Sequence, residues 1–239
     1  MDAIKSLKVK LFADGADLQG MANMAKNPWI RGFTTNPTLM RKAGVSDYRG
    51  FAKQVLQIIP DRPISFEVFS DEFNEMEKQA HEIASWGKNV YVKIPVTNTR
   101  KEFSGPLIKR LSEAGVQVNV TAILTVEQVA AVVPCLKPGV PSCISVFAGR
   151  IADTGRDPIP YMVRALELMR PNPSAELIWA SPRELLNIFQ ADAIGCHIIT
   201  VTNDVLAKLA LVGKDLEEYS LETVKMFYRD ATAAQYRLD

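Results

Sequence analysis

The stretch NVYVKIPV (residues 89–96) sets a lysine inside an otherwise apolar, β-branched run. Successive strand side chains point to opposite faces, so Val90, Val92, Ile94 and Val96 share one face and Tyr91, Lys93 and Pro95 the other. The all-apolar face needs a covering layer; the opposite face borders the space that holds Lys93. Seven further runs read the same way: VKLFAD (9–14), GFTTN (32–36), PISFEVF (63–69), QVNVTAIL (117–124), CISVFAG (143–149), ELIWAS (176–181) and CHIITVT (196–202). Several are apolar on both faces, as parallel strands between helices must be. Helix-compatible stretches follow, for example at 71–86, 100–114, 126–136, 158–170, 183–193 and 203–211. Thr125 with Gln128 and Ser181 with Glu184 fit capping-box spacing, and Asp157-Pro158 supplies a cap followed by proline at the first helical position.

Eight strand–helix units predict an α/β fold, a (β/α)8 TIM barrel. The reading is a single domain over residues 1–239, barrel about 8–212, with an extra C-terminal helix about 219–236. An open doubly wound sheet is the rival. No Gly-rich phosphate loop follows any of the strands, which counts against it.

The 239 residues are 47% hydrophobic and carry 28 Lys plus Arg against 27 Asp plus Glu, a formal charge of +1. That balance offers no basic field for nucleic acid or an anionic membrane. No apolar run approaches the roughly 20 residues of a membrane span, and the start, MDAIKSLKVKLFADG, does not read as a signal peptide. Cys135, Cys143 and Cys196 suit a reduced compartment, so the expected location is cytoplasmic.

Alternation on the other strands is equally informative. Asp14 lies opposite Val9, Leu11 and Ala13; Glu67 opposite Phe66 and Val68; Asn119 and Thr121 opposite Val118, Val120 and Ala122; Ser145 and Phe147 opposite Ile144, Val146 and Ala148. A barrel gathers Asp14, Asn36, Glu67, Lys93, Asn119, Thr121, Ser145 and Ser181 at the carboxyl ends of its strands, where such folds keep their chemistry. Burying so many polar groups without a use for them costs free energy. Lys93 has two readings: it snorkels or pairs with Glu67 as filling, or it is a desolvated amine able to attack a carbonyl. The latter needs a carboxyl group to move protons, for which Asp14 and Glu67 stand ready.

Two histidines, His81 on a helix and His197 early in the last strand, are too few and too ill-placed for a His-rich metal site or a serine triad. Cys143 and Cys196 read as small buried apolar residues. The Asn119-Val120-Thr121 sequon is discounted as an interior strand. Arg150 and Ser181-Pro182-Arg183 suggest a phosphate site at a helix start, with plain capping by Ser181 and an exposed Arg183 as the alternative.

These residues resemble the transaldolase family with its short fructose-6-phosphate aldolase relatives, through LFADGAD, GFTTNPTLM, VYVKIPVT, VNVTAIL, ISVFAGRIAD and WASPRE. GFTTNP and VKIPVT are the specific parts. The resemblance implies a (β/α)8 barrel, Lys93 as Schiff-base lysine, Asp14 as general acid–base, and Glu67 acting through a catalytic water with Thr121. It implies that Asn36 and Asn119 hold substrate hydroxyls, that Thr34 and Ser145 line the cavity, and that Arg150, Ser181 and Arg183 bind phosphate. Glu67 and Phe147 look like transaldolase proper, where the short aldolases place Gln and Tyr. Pro182 departs from the family's aromatic residue and removes a backbone N–H from the phosphate nest.

The implied partners are small-molecule sugar phosphates. The implied reaction is transfer of dihydroxyacetone from fructose 6-phosphate or sedoheptulose 7-phosphate to an aldose phosphate, and it needs no metal and no organic cofactor because the iminium is itself the electron sink. The rivals are an aldolase releasing free dihydroxyacetone, a metal-dependent aldolase, and a non-catalytic sugar-phosphate-binding barrel. The last helix carries an apolar stripe of Val224, Phe227, Tyr228 and Ala231, which either covers the barrel's own surface or meets a neighbour. The resemblance implies a homo-oligomer, ring-based (pentamer or decamer) or dimeric.

Overall fold

The computed structural model describes residues 2–238. Eight parallel strands close in chain order: β1 (Lys10–Asp14), β2 (Ile30–Thr34), β3 (Ile64–Glu67), β4 (Val90–Pro95), β5 (Val118–Ile123), β6 (Ser142–Val146), β7 (Ala175–Trp179) and β8 (Ile198–Thr202), which pairs with β1. Around them run α1 (Asp2–Lys5), α2 (Leu18–Ala25), α3 (Pro37–Lys42), α4 (Tyr48–Ile58), α5 (Phe73–Ala84), α6 (Gly105–Glu113), α7 (Val126–Val132), α8 (Ala148–Ala152), α9 (Ile159–Met169), α10 (Leu186–Ala193), α11 (Asn203–Ala207) and α12 (Leu216–Ala233). This is the (β/α)8 barrel that the alternation of strands and helices predicts. Among the described residues no helix is long and apolar enough to cross a membrane.

The outward strand faces form the main core. Val90, Val92 and Ile94 are buried against Met76, Ala80 and Ile83 of α5 and Leu107, Ile108 and Leu111 of α6 in one apolar cluster. Inside the barrel the residues form layers. At the amino end Lys10 pairs with Glu176 at 2.6 Å. Above them Phe12, Cys143, Ile178 and Ile198 make an apolar floor. Gly32 belongs to that floor for steric reasons, since a Cβ there would lie 2.3 Å from the Phe12 ring. The polar residues sit above the floor, at the carboxyl ends.

Helix starts follow local chemistry. Thr125 and Gln128 form the full capping box on α7. The carboxylates of Asp17, Asp47 and Asp215 accept N–H groups in the first turns of α2, α4 and α12.

Four sequence readings are corrected. Ser181 does not cap a helix: it adopts φ +60°, and α10 begins only at Leu186. Asp157 does accept from the Ile159 N–H at 2.9 Å, but α9 starts at Ile159, beyond Pro158. Ala122 leaves the apolar face. It is exposed at φ +62°, where the β5–β6 register slips between Val120 and Ile123, a bulge of the kind that re-aims side chains next to active sites. Finally, α12 does not cover the barrel. None of its 18 residues is buried, and Val224, Phe227 and Tyr228 are all more than half exposed.

Candidate active site

Lys93 stands on β4 in register with Glu67 of β3 on one side and Asn119 of β5 on the other. Its side chain is only 7% exposed, and the ammonium lies 2.9 Å from Glu67 Oε2. It also donates to the Thr35 carbonyl at 2.9 Å. The pairing expected of a structural lysine is therefore present. A filling pair needs only one carboxylate, however, and this site holds another. Asp14, at the end of β1, accepts the Thr34 hydroxyl at 2.8 Å and is within electrostatic reach of both Lys93 and Glu67.

Asp14 is partly accessible at its surface, yet protein surrounds the carboxyl group. Burial is the main influence on it and raises its pKa above the ordinary aspartate value. Lys93 and the Thr34 hydrogen bond pull the other way, while Glu67 adds a smaller upward push. A carboxyl held towards the protonated form suits an acid–base catalyst. The shift also bears on stability. A raised folded-state pKa means that the native protein binds more protons than the unfolded chain between the ordinary aspartate value and the raised one. Stability therefore falls as pH climbs through that interval and stays lower above it. Asp14→Asn is expected to raise the Tm by a few degrees at pH 7, with less gain near pH 4, while turnover drops about 10²–10⁴-fold. Calorimetry at the two pH values checks the first part; a Tm lowered at pH 7 contradicts it.

Two polar chains flank the lysine. Thr34, besides serving Asp14, meets Thr200 of β8 through their hydroxyls. On the other side the Ser145 hydroxyl donates to Asn119 Oδ1 at 2.7 Å, and Asn119 Nδ2 donates to Ser65 Oγ at 3.0 Å. Asn119 is thus locked in orientation from both sides. Thr121 Oγ1 is buried with no hydrogen-bond partner among the described residues. An orphaned hydroxyl of that kind costs free energy unless something else engages it. It lies next to the bulge at Ala122. Asn36 is half-buried, and its side-chain oxygen is spent on the Leu39 N–H as the cap of α3. Only its amide NH₂ remains to reach a ligand.

The rim above β6 and β7 differs more from expectation. Phe147 opens α8, and the exposed Arg150 guanidinium sits 5.4 Å from its ring centroid, a cation–π arrangement. Ser181 approaches the same helix so closely that a Cβ on Gly149 would lie 1.5 Å from the Ser181 carbonyl oxygen. Arg183 is forked onto Asp153, with Nε 2.9 Å from Oδ1 and Nη2 against Oδ2. The Arg183 and Glu184 N–H groups both donate to Asn187 Oδ1, at 2.8 and 3.1 Å, and Pro182 has none to give. The loop's donors therefore face inward to the protein's own acceptors. An exposed pair such as Arg183–Asp153 is worth at most about 1 kcal/mol, so a dianion competes with it readily.

The strand pattern carried Ser65 and Thr200, two positions before Glu67 and Thr202 on the same faces, but only the closed barrel shows what they touch. Asp153, Asn187 and the Thr35 carbonyl left no sequence signal, because their roles depend on loops meeting across strands. His197 lies at the amino end of β8, where its Nδ1 accepts from the Leu177 N–H at 3.0 Å, far from the polar mouth. Cys196 is buried beside it, and burial pushes its thiol up to about 12.

The family model described as transaldolase/fructose-6-phosphate aldolase matches residues 11–238. A "Probable transaldolase" of Dehalococcoides mccartyi is 34% identical over 202 residues, 84% of this chain and 90% of that protein. Another, from Thermoanaerobacter sp., is 32% identical over 224 residues, covering 93% and 98%. Among solved structures, KGPDC from Streptococcus mutans superposes with a TM-score of 0.58 at 11% identity, over 83% of this chain and 89% of that one. That last likeness is one of barrel fold.

Proposed function

Since this chain belongs to the transaldolase/fructose-6-phosphate aldolase family, we propose that it transfers a dihydroxyacetone unit between sugar phosphates through a Schiff base on Lys93. The observation that carries this reading is a buried lysine amine paired with the Glu67 carboxylate and within electrostatic reach of Asp14, a second strand-end carboxyl held towards its protonated form. The donor is a ketose phosphate such as fructose 6-phosphate or sedoheptulose 7-phosphate. The Lys93 ammonium passes a proton to Glu67, and the free amine attacks the ketone. Loss of water gives an iminium, with Asp14 supplying the proton that the departing hydroxyl needs. Asp14 then takes the C4 hydroxyl proton as the C3–C4 bond breaks, and the bonding electrons flow into the iminium. An aldose phosphate leaves, and the three-carbon enamine adds to an acceptor aldose phosphate.

Thr121 and Glu67 are assigned the water consumed and released in these steps. Asn36, Asn119, Ser145 and Thr34 are assigned the substrate hydroxyls. Arg150, Ser181 and Arg183 are assigned the phosphate, which displaces Asp153 from Arg183. Glu67 and Phe147 favour transfer over simple cleavage. Supplying fructose 6-phosphate alone and then erythrose 4-phosphate tests this. Turnover is expected only with the acceptor; full turnover without it makes the protein an aldolase releasing dihydroxyacetone.

We also propose that the protein is a homo-oligomer, because α12 leaves Leu221, Val224, Phe227 and Tyr228 more than half exposed. An exposed apolar patch of this kind marks an interaction surface. Light scattering should give a mass at least twice that of the chain, and Phe227→Glu should reduce it. A monomer at micromolar concentration sinks this assignment.

A further inference from the structure

Strands of a parallel sheet hydrogen-bond alternately to either side. On one side of β3, Val68 N–H donates to the Lys93 carbonyl at 3.1 Å. On the other, β2 runs out: Thr35 N–H reaches the Ser65 carbonyl at 3.1 Å, after which the chain turns at Asn36-Pro37 into α3. The peptide groups of Glu67 face this gap. They are met by one side-chain atom from α4. The Tyr48 hydroxyl donates to the Glu67 carbonyl at 2.7 Å and accepts from the Glu67 N–H at 2.9 Å. Its ring is fixed among Phe66, Phe69 and Trp86, with centroids 5.5–6.4 Å away.

We propose that Tyr48 is a positioning residue for the chemistry at Lys93: its hydroxyl replaces the missing stretch of β2 and fixes the Glu67 main chain so that the carboxylate meets the lysine. This rests on the function proposed above. A protonated phenol is required for the donated bond, and burial holds the Tyr48 pKa well above the usual tyrosine range, outweighing the accepted N–H. Placement matters because misalignment by about 1 Å can cost a reaction about a hundredfold.

Tyr48→Phe keeps the ring and removes only the clamp. Its kcat on fructose 6-phosphate with acceptor is expected to fall about tenfold or more, with KM within about twofold. Borohydride trapping of Lys93 should slow in proportion. Trp86→Phe loosens the same aromatic cluster but spares the hydroxyl, so it should lower Tm with kcat within about twofold of the parent. In the unaltered protein the Glu67 amide proton should exchange slowly despite lying at a strand end. Fast exchange there, or a Tyr48→Phe kcat no lower than that of Trp86→Phe, overturns the inference. Absence of any Lys93 adduct in the unaltered protein overturns the proposed function, and this inference with it.

Discussion

Lys93→Ala is expected to lower turnover of ketose phosphate by at least about 10³-fold and to abolish the borohydride-trapped adduct. Among the described residues no other amine joins the polar layer around it, which consists of carboxyl, amide and hydroxyl groups. The substitution also strips the local charge balance. Glu67 loses the ammonium at 2.9 Å, and Asp14 loses the cation that opposes the effect of its burial. Two carboxyl groups then share a desolvated mouth, and removing one partner of a buried pair costs about 3–5 kcal/mol. Because Glu67 keeps some solvent access, the lower end of that range is the better expectation. Adding Glu67→Gln to Lys93→Ala should restore part of the stability and none of the activity. Turnover within tenfold of the parent, or a trapped adduct on another residue, removes Lys93 from the mechanism.

Gly149→Ala should be the most damaging single methyl group in the rim proposed to hold phosphate. Its Cβ would lie 1.5 Å from the Ser181 carbonyl oxygen, 2.6 Å from the carbonyl carbon and 3.3 Å from Arg183 Nε. The obstacle is backbone, which cannot swing aside as a flexible side chain does. Ser181 itself is held at φ +60°, a conformation with little freedom to relax. Either α8 moves outward with Arg150 or the 181–184 loop moves with Arg183, and both separate the groups proposed to bind the anion. Overpacking of this type costs about 1–3 kcal/mol or more. The predicted signature is a lower Tm and a KM for fructose 6-phosphate raised about tenfold or more, while trapping of Lys93 by unphosphorylated dihydroxyacetone persists. A variant with the parent's Tm and KM refutes the close approach.

The barrel and its polar mouth were legible because period-2 alternation reports directly which residues face inward. Lys93, Glu67, Asn119 and Ser145 stand where that period puts them. Thr125 with Gln128 was legible for a similar reason, as both halves of the capping box are local. Ser181 with Glu184 has the same spacing and does something else. Pro182 and the left-handed Ser181 turn the chain before a helix can start, and Asn187 supplies the acceptor that Ser181 does not. Ala122 escaped the alternation because a bulge inserts an uncounted residue. Tyr48 was out of reach, since nothing in residues 45–60 announces that a hydroxyl will finish a strand edge left open by residues 34–37. The stripe on α12 predicted an apolar face, but periodicity does not name what that face meets.

The apolar floor formed by Phe12, Cys143, Ile178 and Ile198 has a kinetic consequence. It lies between the Lys10–Glu176 pair at the amino end and the polar residues at the carboxyl ends. Barrels of this fold keep their chemistry at the carboxyl ends of the strands, so the proposed reaction takes that mouth as the ligands' route to the lysine. In the transfer proposed above, a departing product and an incoming acceptor pass that mouth in turn while the three-carbon fragment stays on Lys93. Double-reciprocal plots at fixed acceptor concentrations should accordingly run parallel.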